Sequence, residues 1–150
     1  DILLDVLFSK GKKDLAFQLL SSRELGSFLY MKDRGATTLW EDWHGRDSHD
    51  HPMFGACTRQ LFTSVLGIGQ AKDTAGYRDL VICPQIPKQM QLAKGSIETQ
   101  NGTISVNWYK EDNQIHFEIQ LPEETKGVFR YGTEEWKLQG GQLFQKALPQ

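Results

Sequence analysis

Apolar and polar positions follow two different periods along this chain, and the change falls near residue 70. In DILLDVLFSK, residues Ile2, Leu3, Leu4, Val6, Leu7 and Phe8 form a band broad enough for a well-buried helix end. Gly11 interrupts it, and KKDLAFQLLSS then places Leu15, Ala16, Leu19 and Leu20 on one helical face. Two apolar helical runs with so short a break predict an αα-hairpin. A further long helix is predicted over PMFGACTRQLFTSVLGI, where Met53, Cys57, Leu61, Val65 and Ile68 recur at helical spacing. Pro52 suits its first turn, where a missing N–H costs nothing, and Gly67 and Gly69 mark its stop.

Beyond Gly76 the period becomes two. YRDLVICP reads as a short strand, and SIETQNGTISVNWYK as strand, Asn101-Gly102 turn, strand. Ile104, Val106 and Trp108 alternate with polar residues on the return arm, and Ile115, Phe117 and Ile119 repeat the pattern. GVFRYG and the segments around Trp136 and Leu143-Phe144 complete a set of strands spaced as in an antiparallel β-sandwich. Trp108, Trp136, Phe117 and Phe129 read as its core, with a carbohydrate-binding face as the competing assignment. The expected class is α+β, helical over 1–72 and β over 73–150.

About three helices with wide apolar faces do not close a core of their own, because each covers its stripe only against neighbours. The helical part therefore reads as the end of a larger helical domain, and the chain as a C-terminal piece. The formal charge of −2 lacks the basic footprint of a nucleic-acid binder. No apolar run is long enough for a membrane-spanning helix. The two cysteines, Cys57 and Cys83, lie in apolar patterns without Cys-x-x-Cys spacing and read as buried free thiols.

Between the helical runs lies GATTLWEDWHGRDSHDHPMFG, with two tryptophans, four acidic residues and three histidines. His44, His49 and His51 with Asp47 and Asp50 supply metal-ligand types, but neither His-x-x-x-His nor a Cys/His pair is present, so no metal is assigned. A saccharide fits differently. Pyranose rings present C–H faces to aromatic side chains, while carboxylates and imidazoles bind hydroxyls, and Glu41 sits between Trp40 and Trp43. A glutamate in such a wall suits the general base of a glycosidase. In an inverting enzyme it faces a second carboxyl group about 6.5–9.5 Å away, across the attacking water. Residue type alone equally allows core tryptophans and a surface glutamate.

GATTLWEDW, SHDHPMFGA, a helix ending LGI and AGYRDLVICP together resemble the C-terminal part of bacterial α-L-rhamnosidases of glycoside hydrolase family 78. The likeness covers most of residues 10–100, and beyond Asn101 it is one of strand pattern only. It implies the terminal helices of an (α/α)6 barrel followed by a β-sandwich. The implied activity is inverting release of terminal α-L-rhamnose from a rhamnose-containing carbohydrate, without cofactor. Glu41 matches the family's general base and His51 a sugar-contacting histidine, with Trp40 and Trp43 as pocket wall. Asp50 stands where the family has Asn, placing an anion beside the sugar contact. The general acid belongs to an upstream catalytic domain of the same polypeptide, so the 150-residue chain alone is expected to be inactive. By the same analogy the compartment is periplasmic or secreted. The competing reading is a non-catalytic carbohydrate-binding or structural sandwich module.

Overall fold

Gly11 takes the left-handed backbone (φ +67°) that lets the chain reverse between α1 (Ile2–Ser9) and α2 (Lys13–Ser21). These elements belong to a computed structural model that describes residues 2–150. Two compact units emerge, residues 2–61 and 62–150. In the first, Leu4, Phe8 and Ala16 are buried. The predicted apolar band is only partly covered, however: Ile2 is 80% and Leu3 58% exposed.

A third helix, α3 (Phe28–Asp33), was not predicted. Six residues are too few to establish a period, and local chemistry defines its ends instead. Ser27 Oγ accepts the Tyr30 N–H at 3.3 Å, and Gly35 follows the helix at φ +88°. Met31 anchors it in the interior.

The long helix predicted from Pro52 to Ile68 is broken into three parts. A 3₁₀ turn covers Pro52–Ala56, α4 covers Cys57–Gln60, and a π-helical turn covers Leu61–Val65. Each change of winding rotates the inward face. Met53 and Leu61 consequently lie exposed, while Gln60 and Ser64 are buried. Gln60 Nε2 and Arg59 Nη2 both donate to Asp5, the latter at 2.6 Å. Ile68 lies in a strand rather than the helix.

Eight strands fill the second unit in two four-stranded sheets. One has the order β1 (Ile68–Gln70), β2 (Asp79–Ile82), β6 (Lys126–Tyr131), β7 (Glu134–Gln139). The other has β3 (Leu92–Thr99), β4 (Gly102–Glu111), β5 (Gln114–Gln120), β8 (Leu143–Pro149). Strand period sets the inward face: Ile104, Val106, Trp108, Ile115, Phe117 and Ile119 are each at most 2% exposed. Phe117 meets Phe129 of the opposite sheet at 4.8 Å between ring centroids, and Phe129 stacks on Trp136 at 5.3 Å. The Trp108 indole N–H donates to Val65 O at 3.0 Å, so the largest buried side chain leaves no polar atom unpaired. Trp108, Phe117 and Phe129 are core, Trp136 is half-buried beside Phe129, and the class is α+β with a β-sandwich.

Two details depart from the sequence pattern. All strand pairs are antiparallel except β2 with β6, which run parallel because the chain forms β3–β5 in the other sheet before returning. The β3–β4 hairpin forms as predicted, yet Thr99 pairs with Gly102, so its loop residues are Gln100 and Asn101. Thr99 Oγ1 accepts the Asn101 N–H at 3.1 Å and donates to Gly102 O at 2.7 Å, which displaces the expected Asn-Gly turn by one residue. The left-handed two-residue turn occurs instead at Asp112 (φ 49°) and Asn113 (φ 61°).

The cysteine assignment is corrected. Cys57 is half-buried and Cys83 exposed. Leu80 and Ile82 point inward along β2, so the alternation turns residue 83 toward solvent.

Gly67 is required where the helical segment gives way to β1. Its φ is +72°, and a Cβ there would lie 2.2 Å from the Cys83 carbonyl carbon. Gly67→Ala is expected to destabilise the β unit by about 2–3 kcal/mol. The thermal midpoint of its near-ultraviolet circular dichroism should fall by roughly 10 °C.

Candidate functional site

The acidic, tryptophan-bearing run forms an irregular loop between α3 and Pro52. Backbone bonds make it a definite structure. Glu41 N–H donates to Ser48 O at 2.8 Å and His51 N–H to Leu39 O at 2.8 Å. The Thr38 hydroxyl also donates to His49 O. Residues 38–41 and 48–51 are thereby pinned side by side, with 42–47 as the connecting turn.

Asp42 shapes that turn. Its carboxylate accepts the backbone N–H groups of His44 and Arg46, the latter at 3.2 Å. The His44 N–H is the main reason its carboxyl is held below the usual carboxylate range. Gly45 takes φ +69° and lies against the Trp40 indole, where a Cβ would approach ring carbons to 2.8 Å. His49 stacks on the same indole at 4.9 Å between centroids, and its Nε2 lies 2.8 Å from Gly45 O. Trp40 is therefore the buried floor on which the loop folds.

The clamp brings Glu41 and His51 together. His51 Nδ1 lies 3.6 Å from Glu41 Oε2, with the side chains 35% and 44% exposed. Ser48 N–H reaches the same carboxylate oxygen at 3.4 Å. A half-exposed carboxylate oriented by an imidazole and a backbone N–H can take a proton from water or hold a hydroxyl group. Asp50, also exposed, donates its N–H to Ser48 Oγ at 3.2 Å.

Trp43 is placed differently. It packs on Phe54 at 4.6 Å and edge-on to Phe28 at 6.2 Å. With Leu3, Leu4 and Cys57 these rings line an apolar cavity of about 300 Å³ whose lining excludes Glu41. The three loop histidines do not converge: His44 lies by Asp42, His49 on Trp40 and His51 by Glu41. Among the described residues, no group of three or more His, Cys, Asp or Glu side chains is arranged to hold a metal.

Ser48 and Asp42 organise the site, though neither carried weight in the sequence reading. Asp42 had a legible signal, an Asp just ahead of a glycine-containing turn. Ser48 acts mainly through its backbone, which residue type does not reveal.

Known proteins carry the same architecture. Residues 1–65 match the bacterial alpha-L-rhamnosidase 6 hairpin glycosidase domain, and residues 67–142 the bacterial alpha-L-rhamnosidase C-terminal domain. An alpha-L-rhamnosidase of Alteromonas sp. (strain LOR) is 30% identical over 132 residues, covering 81% of this chain and 14% of that protein. The alpha-L-rhamnosidase structure from Dictyoglumus thermophilum superposes with a TM-score of 0.76 at 30% identity, over 84% of this chain and 15% of that one. The Streptomyces avermitilis alpha-L-rhamnosidase, solved in complex with L-rhamnose, shares the fold with a TM-score of 0.86 at 22% identity, over 97% of this chain and 17% of that one. The chain spans 13–15% of the length of the curated relatives it matches. With one domain of the family matched in its helical part and the next through most of its sandwich, this chain belongs to the bacterial α-L-rhamnosidases.

Proposed function

We propose that this chain forms part of a longer glycosidase that releases terminal α-linked L-rhamnose with inversion, and that Glu41 is its general base. The reading rests on one arrangement: a half-exposed carboxylate 3.6 Å from an imidazole, on a loop clamped at both ends. Glu41 takes a proton from the attacking water as that oxygen bonds to the anomeric carbon. A second carboxyl group, on a part of the polypeptide outside this chain, protonates the departing glycosidic oxygen. About 6.5–9.5 Å between the two groups leaves room for the water. His51 orients Glu41 and binds a sugar hydroxyl, with Asp50 beside it. Trp40 braces the loop from below, and Trp43 belongs to the wall behind it.

In this reading the helices of residues 2–61 belong to the closing part of an (α/α)6 barrel, and the sandwich that follows starts ahead of the expected boundary at residue 72, since β1 (Ile68–Gln70) already pairs with β2. The exposed band on α1 supports this, because Ile2 and Leu3 present apolar surface suited to a neighbouring helix. Lacking the acid, the 150-residue chain should release no detectable nitrophenol from p-nitrophenyl α-L-rhamnoside, whereas the full polypeptide turns it over. Turnover by the short chain would place both catalytic groups within it and defeat the proposed division. Proton NMR of the first-formed sugar tests stereochemistry, since β-L-rhamnose must appear before mutarotation.

A further inference from the structure

The outward face of the sheet β3-β4-β5-β8 carries two adjacent rows of unlike chemistry, fixed by strand register. Leu92, Tyr109, His116 and Ala147 stand side by side across the four strands. Two residues along each strand, Lys94, Asn107, Glu118 and Gln145 form the next row on the same face. One row is apolar and aromatic; the other is built of hydrogen-bonding groups.

Both rows are ordered by their own contacts. The Tyr109 and His116 rings stack at 4.8 Å with only 6° between their planes. Tyr109 covers one face of the imidazole. On its other side the neighbour is Ala147, whose single methyl leaves a hollow of about 300 Å³ bounded also by Glu118, Gln145 and Lys146. In the polar row Glu118 accepts from Asn107 Nδ2 at 2.8 Å and from Gln145 Nε2 at 3.3 Å. Each amide so oriented keeps a carbonyl oxygen and a second N–H for a ligand.

We infer that this face is a second saccharide site, which takes a neutral pyranosyl chain with its C–H faces against His116 and its hydroxyls on the Asn107–Glu118–Gln145 row. A pyranose presents the same two chemistries on opposite aspects of one ring. Glu118 borders the hollow, while Lys94 stands two strands away at the edge of the row and the Lys146 ammonium lies over the Trp136 ring at 5.2 Å, so the carboxylate favours neutral over acidic sugars there. Binding here involves no residue of the Glu41 loop and does not depend on the catalytic proposal.

The test is a titration of the ¹⁵N-labelled 150-residue chain with cellotetraose, methyl α-L-rhamnoside and tetragalacturonate, followed by amide shifts. Saturable shifts with a neutral probe, centred on Asn107, His116, Glu118 and Gln145, are expected, with tetragalacturonate roughly tenfold weaker or more. His116→Ala and Glu118→Ala should each weaken binding by roughly tenfold. Their thermal midpoints should stay at the parent value, since both side chains lie on the outer face. Glu41→Gln should leave binding unchanged. The inference is overturned by absence of saturable shifts with every probe, by preference for the uronate, or by shifts centred on residues 38–51. None of these outcomes bears on turnover by the full polypeptide, which tests Glu41 separately.

Discussion

Glu41→Gln in the full polypeptide is expected to lower kcat on p-nitrophenyl α-L-rhamnoside by about 10²–10⁴-fold, the usual contribution of a positioned base. KM should change little, because the amide keeps the shape of the carboxylate and loses only the proton acceptor. The fold should be unaffected. Glu41 is 44% exposed, and the clamps around it run through backbone atoms of Leu39, Ser48 and residue 41 itself. Azide provides the decisive control. As an anion it attacks the anomeric carbon without needing a base, so it should restore turnover to the variant and give β-L-rhamnosyl azide. Full activity in Glu41→Gln, without azide, would remove this residue from the chemistry.

Trp108→Ala carries the largest expected cost to stability. The indole is fully buried, and emptying a site of that size typically costs about 3–5 kcal/mol. The substitution also strips Val65 O of its 3.0 Å partner, at a cost of about 1–3 kcal/mol if no water replaces it. Set against a typical domain stability of about 5–15 kcal/mol, the loss removes much of what holds the sandwich. Thermal unfolding by near-ultraviolet circular dichroism should show a midpoint lower by tens of degrees, or no cooperative transition. Trp108→Phe keeps most of the apolar volume and loses the N–H, so it should fall between parent and alanine variant. An alanine variant that melts with the parent would mean that this indole does not organise the core.

Strands were the most legible part of the chain, since a two-residue period is short and repeats fully within one element. Ile104–Val106–Trp108 and Ile115–Phe117–Ile119 each display it, and each lies on the inner face. The helical end was harder to read because winding need not stay uniform. A 3₁₀ turn, one α turn and a π turn between Pro52 and Val65 turned Leu61 outward and Gln60 inward. Pattern analysis assumes a fixed 100° per residue, and no residue in this segment announces the change. Composition and motif resemblance singled out Glu41 and His51. Their 3.6 Å approach depends largely on the backbone bonds from Glu41 to Ser48 and from His51 to Leu39, which side-chain identity does not encode. The sheet-face rows at Tyr109 and Glu118 were likewise invisible before strand register was known.

The single parallel pairing has a consequence for how the molecule assembles. β3, β4 and β5 are joined by tight turns and zip up from near neighbours in sequence. β2 must instead wait for β6, with Asp79 meeting Lys126 only after that meander has been made. Long-range pairings form late because chain closure is costly before contacts repay it. Time therefore runs differently within the sandwich: the β3–β4–β5 meander can zip early, whereas β2 with β6, and β8 with β5, close long loops afterwards. Pulsed hydrogen exchange during refolding should protect the amides of β4 and β5 ahead of those of β2 and β6.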